Sequence, residues 1–118
     1  MRRKPGSLVP FELAILGALV ELRRQGIAEA HGFLIASELR VLGDDRRLTA
    51  YGTLYKALDR LADFGTIDRR WEEPVVAAQE GRPRRRFHRI NVAGETALAE
   101  ADPIRRPRPA TGGRAAAL

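Results

Sequence analysis

The chain has no cysteine among its 118 residues, which excludes a disulfide framework and any thiolate metal site. Its two histidines, His31 and His88, lie far apart with no ligand spacing around them. No apolar run approaches the roughly 18 residues that a membrane span needs. Leu13 to Val20 is apolar behind a basic start, but Glu12 and Glu21 bracket it and no small-residue cleavage site follows. It reads as part of a core helix, and the expectation is a cytoplasmic protein. There is no G-x-S-x-G, P-loop or H-E-x-x-H motif. Asp59 and Asp63, one helical turn apart, read as solvated partners of Lys56 and Arg60 and not as a catalytic pair. No catalytic, cofactor or metal-binding residue emerges, and an enzyme is not expected.

What the chain does have is arginine: nineteen, against two lysines, Lys4 and Lys56. The net charge is +6, and its distribution says more than its total. Residues 1–10 carry Arg2, Arg3 and Lys4, and residues 11–80 are slightly acidic. Residues 81–118 hold nine basic and three acidic residues. Positive charge gathered at the ends and in one internal loop points to a polyanionic partner.

The length suits one domain with a tail. Residues 1–9 read as a flexible basic arm. Pro10 suits the first turn of a helix over Phe11 to Gln25, apolar almost all round and hence central. A second helix is expected over His31 to Leu42, with Ile35, Leu39 and Leu42 on one face and Gly43 at its end. Thr49 can N-cap a third helix. In that helix Tyr51, Leu54, Leu58 and Leu61 repeat at helical spacing as an inner face, and Gly65 is the stop. Thr66 to Glu73 reads as a strand with Ile67 and Trp71 on one face, Pro74 to Pro83 as a long loop, and Arg84 to Ile90 as the return strand. Asn91 can cap a last helix that ends before Pro103. Residues 103–118 are rich in arginine and proline and are expected to be disordered. The domain therefore spans 10–102, mostly α with a small β-hairpin, in the order α-α-α-β-β-α.

Two features carry function. The third helix turns a polar face outward: Gly52, Thr53, Lys56 and Arg60, with Tyr55 near the same side, can donate to phosphates or base edges. An ordinary solvated face explains these residues equally well. Gly52 tips the balance slightly. Glycine there costs about 1 kcal/mol of helix propensity, a cost that close approach of another backbone would explain. The second feature is the hairpin tip, where Arg82, Arg84, Arg85, Arg86 and Arg89 lie together with no acid among them. A charged edge that blocks aggregation would normally mix signs. Trp71 on the first strand can stack on a flat ligand or a base, but a strand tryptophan more often packs into the core; His88 reads as structural. A polar-faced helix followed by a ribbon with a basic tip is the layout of a winged helix-turn-helix, in which the helix enters a major groove and the tip reaches the backbone.

With these residues in view, the chain from about Phe11 to Ala101 resembles the PadR family of bacterial transcriptional regulators. The resemblance rests on the order and spacing of Gly52-Thr53-Leu54-Tyr55, Leu58-Asp59-Arg60-Leu61, Gly65, Trp71-Glu72, Gly81-Arg82-Pro83-Arg84-Arg85-Arg86-Phe87 and Ala93-Gly94. It implies a winged-helix dimer that usually represses a promoter. It also implies a C-terminal helix supplying much of the dimer contact, and in some members release by small aromatic ligands such as phenolic acids or cationic drugs. The chain departs from the family at His88, at Asn91-Val92, and in a last helix of only about three turns. The expected DNA contacts are Thr49, Tyr51, Gly52, Thr53, Tyr55, Lys56 and Arg60 on the helix and Arg82, Arg84, Arg85 and Arg86 on the wing. The expected dimer contacts are Phe11, Ile15 and Leu19 with Leu98, since a helix apolar on all sides has a face to spare. The partner is double-stranded DNA, bound by a homodimer. The alternatives are a non-specific nucleic-acid binder and a protein-interaction adaptor.

Overall fold

The computed structural model describes residues 8–43 and 51–101. Residues 1–7 of the basic arm, Thr49 and the arginine- and proline-rich tail lie outside them. Seven elements follow in order: α1 Pro10–Arg24, α2 Gly32–Val41, α3 Tyr51–Asp63, β1 Ile67–Trp71, α4 Pro74–Gln79, β2 Arg86–Ile90 and α5 Val92–Ala101. This is a mostly helical winged helix with a two-stranded antiparallel wing. The expected order holds, with one short helix added inside the wing.

α1 is the hub. Pro10 opens it, and Glu12 reaches back to accept from the Val9 N–H at 3.1 Å. Gly26, at φ +92°, ends it and lets the Ile27 N–H bond the Leu22 carbonyl. Most of its apolar girdle is buried in the chain's own core. Ile15 and Leu16 are fully buried and Leu19 is 4% exposed, packed into one core with Ile35 and Leu39 of α2, Leu54, Leu58 and Leu61 of α3, and the hairpin residues Ile67 and Ile90. The expectation of a dimer contact through Ile15 and Leu19 is therefore corrected: neither offers surface to a second chain. Phe11 and Leu98 are only partly buried against this core. Leu42, assigned to the inner face of α2, is instead 46% exposed.

The chain leaves α3 through Gly65, at φ +79°, and Thr66 donates through both its N–H and its hydroxyl to the Leu61 carbonyl. The strands then pair from Ile67 with Ile90 to Trp71 with Arg86. β2 is also braced on its other side, where Ala30 and His88 exchange two backbone hydrogen bonds of 2.9 and 2.8 Å. The segment entering α2 thus fixes the wing to the helical body. Asn91 caps α5, accepting from the Gly94 N–H at 2.9 Å and donating to the Gly65 carbonyl at 2.9 Å. Arg23 of α1 pairs with Glu95 of α5.

His88 is structural, as expected. It is 2% exposed, and its Nδ1–H faces the Ala30 carbonyl oxygen at 3.3 Å. Burial pushes the imidazole below its ordinary value; Arg69 and Arg86 act the same way, against the Ala30 bond. The folded protein therefore resists a proton that the unfolded chain accepts, so stability falls as pH drops below the ordinary histidine range. Urea midpoints at about pH 7.5 and about pH 5.5 should differ in that direction, and His88→Gln should reduce the difference. An unchanged gap in the variant would remove His88 from the account.

Candidate nucleic-acid interface

α3 separates two faces cleanly. Leu54, Ala57, Leu58 and Leu61 are buried, while Gly52, Thr53, Tyr55, Lys56, Asp59 and Arg60 are exposed. Tyr51, expected on the inner face, is 45% exposed and lies beside Tyr55, their rings 6.4 Å apart. A Cβ added at Gly52 would meet nothing within 4 Å among the described residues, so none of them demands glycine there. Gly32 is different: a Cβ there would strike the Tyr55 phenol. The first turn of α2 and the outer face of α3 are thereby held in contact.

Charge partners sort the basic residues. Among the described residues Lys56 has no ion-pair partner, and it stands free on the outer face. Arg60 turns back, its Nε 3.0 Å from Glu12, a carboxylate only 2% exposed. Asp59 pairs with Arg69 of β1 at 2.6 Å, not with the lysine and arginine of its own helix as expected. Arg60 thus ties α3 to α1, and Asp59 ties α3 to the wing.

The wing is organised by Glu72, which sequence reasoning did not single out for this role. Its side chain is 7% exposed and receives both terminal nitrogens of Arg82, at 2.6 and 2.8 Å, and the backbone N–H of Arg85 at 3.2 Å. The Arg84 Nε donates to the Glu72 carbonyl at 2.8 Å. The Arg82 guanidinium, with the Arg85 amide adding to it, pulls the Glu72 carboxyl down to about 2. Arg82 also donates to the Glu80 carboxylate at 3.0 Å, so its charge is spent inside the wing. The expected long loop holds α4, with Pro74 at its first turn, Ala77 buried, and Gly81 at φ +66° closing it. Proline at a helix start and glycine past its end are the sequence signal for it.

Trp71 is not core. It is 49% exposed, with the Arg86 and Arg84 guanidiniums 4.7 and 5.6 Å from its ring centre. Arg84 and Arg85 are exposed, and Arg86 is partly so. Between the start of α2, the outer face of α3 and the wing lies an open cleft of about 590 Å³, into which Tyr55, Trp71 and these three arginines project. His31, at the α2 start, is pushed below its ordinary value by burial, with Arg85 and Arg82 reinforcing the shift. Among the described residues no cluster of metal-ligating side chains occurs, and no helix is long and apolar enough to cross a membrane.

An amphipathic helix with a polar outer face beside a basic wing defines a winged-helix DNA-binding protein. Residues 19–100 match the Transcriptional regulator PadR-like family, which spans most of the chain. The chain belongs to that family of transcription regulators. The fold is shared with a transcriptional regulator from Clostridium thermocellum, at 24% identity and a TM-score of 0.57 over 76% of this chain and 74% of that one. No curated protein matches the chain.

Proposed function

We propose that the protein is a sequence-specific regulator that places α3 in the major groove, with Thr53, Tyr55 and Lys56 reading base edges or adjacent phosphates, and Tyr51 and Thr49 at the helix start. Arg84, Arg85 and Arg86 contact the backbone or minor groove. The observation that carries this reading is the pairing pattern. Arg60 and Arg82 are held by Glu12 and Glu72, and Arg89 by Asp68, whereas Lys56, Arg84, Arg85 and Arg86 have no carboxylate partner among the described residues. Arg60 and Arg82 then serve by holding α3 and the wing in place. One winged helix covers few base pairs, so specific binding calls for a dimer on a palindrome, with half-sites about one helical turn apart. Phe11 and Leu98, which keep some exposed surface, are the contacts that remain available on α1 and α5. Repression follows from occupying an operator; release by a small aromatic ligand would act on that occupancy.

Replacing Arg84 and Arg85 with alanine should weaken all duplexes together, because phosphate contacts position without reading sequence. Thr53→Ala or Lys56→Ala should instead relax preference at particular base pairs, by about 1–3 kcal/mol each. Fluorescence anisotropy on a panel of duplexes separates the two patterns. A wing variant that binds as tightly as the parent would reduce the tip to a solvated edge.

A further inference from the structure

The cleft between α2, α3 and the wing carries features that reading a duplex leaves unused. Duplex DNA offers phosphates and base edges and keeps its base faces stacked. Three half-exposed aromatic side chains from three elements line this cleft: Phe33 at 59%, Tyr55 at 45% and Trp71 at 49%. A cluster of exposed aromatics marks a binding surface, and aromatic faces bind bases by stacking whatever their sequence.

The charge of the lining is equally specific. Arg82 is neutralised by Glu72 and Glu80, and Asp59 by Arg69. Arg84, Arg85 and Arg86 have no carboxylate partner among the described residues, and the Arg86 Nε is buried without a hydrogen-bond partner. The α2 helix starts at the same cleft, and its N-cap residue His31 makes no side-chain cap bond, so first-turn amides add to the positive field. Three uncompensated guanidiniums suit a multiply charged phosphate better than a single carboxylate. The volume, about 590 Å³, lies within the range of small-molecule sites.

We propose that this cleft binds a free nucleoside phosphate, its base against Trp71 and Tyr55 and its phosphate on Arg84, Arg85 and Arg86, and that the bound nucleotide competes with duplex DNA. The competition rests on the DNA reading above, since the cleft walls are the outer face of α3 and the wing. Nucleotide binding itself does not rest on it.

Trp71 is the chain's single tryptophan, so its fluorescence reports on the site directly. The full chain is titrated with adenosine monophosphate, inorganic phosphate and benzoate. Saturable quenching is expected from the nucleotide, at concentrations at least about tenfold below those at which phosphate or benzoate acts. Arg86→Gln and Tyr55→Leu, checked for fold by circular dichroism, should each weaken the response several-fold. The parent protein alone decides the site: no quenching, or benzoate equal to the nucleotide, overturns it. Labelled duplex supplies the second arm. Saturating nucleotide should raise the apparent DNA Kd in step with occupancy, and an unchanged Kd overturns the competition. Quenching by nucleotide in a protein that binds no duplex would overturn the DNA reading and leave the site standing.

Discussion

Gly94→Ala is expected to destabilise the fold by about 1–3 kcal/mol, because α5 crosses the chain at a point where no methyl group fits. A Cβ at Gly94 would collide with the Thr66 carbonyl oxygen and come within 2.7 Å of the Ile90 side chain. The obstacle is backbone, so no rotamer change relieves it. The same contact region joins α3, the wing and α5: Thr66 also bonds Leu61, and the Asn91 N–H donates to the Thr66 carbonyl at 3.3 Å. For a domain of this size, each kcal/mol corresponds to about 4–8 °C in Tm. Gly52→Ala is the internal control. A Cβ there meets nothing within 4 Å among the described residues, so the variant should gain up to about 1 kcal/mol of stability from helix propensity. It should nevertheless lose DNA affinity if DNA packs against Gly52. Thermal melts of the two variants beside the parent check this; a Gly94→Ala protein as stable as the parent would contradict the crossing geometry.

Glu72→Ala should disable the wing while leaving the helical core folded. The substitution removes the acceptor for both terminal nitrogens of Arg82 and for the Arg85 N–H. Arg84, whose Nε bonds the neighbouring Glu72 carbonyl, loses its fixed setting with them. The expected result is a loss of about tenfold or more in affinity for every duplex, with the slope of log K against log salt shallower by about one or two units per wing. Because the Glu72 carboxyl is pulled down to about 2, it stays ionised in the fold well below the pH at which the unfolded chain takes up a proton. Its contribution is therefore full above the ordinary carboxylate range and lost as pH falls from there toward 2. Salt titrations of parent and variant by anisotropy measure the effect. An unchanged slope would mean that the clasp does not position the arginines.

Much of this was legible in the sequence wherever periodicity or punctuation speaks. The inner face of α3 follows from Leu54, Leu58 and Leu61, its end from Gly65, and the cap of α5 from Asn91. The wing follows from two short β-rich stretches around a basic tip. What stayed hidden depends on partners distant in sequence. Charge identifies Arg60 and Arg82 as basic, but nothing local says that Glu12 and Glu72 have claimed them. α1 reads as having a face to spare, yet Ile15 and Leu19 lie in one buried core with residues of α2, α3 and the hairpin. Trp71 shares a strand face with Ile67, but the core reaches only Ile67; four residues along, the wing has left the body and the ring meets arginines instead. α4 is too short for periodicity to detect, though Pro74 and Gly81 mark its ends.

The central claim is that α3 and the wing together bind duplex DNA, the helix reading sequence and the arginines holding phosphate. Selection of bound duplexes from a random pool, followed by salt titration of the selected and a scrambled sequence, tests it most directly. The account predicts a salt slope of several units on both duplexes. It also predicts a selected sequence bound at least about 10³-fold more tightly than the scrambled one. A flat salt dependence, or equal affinity for the two sequences, would contradict it.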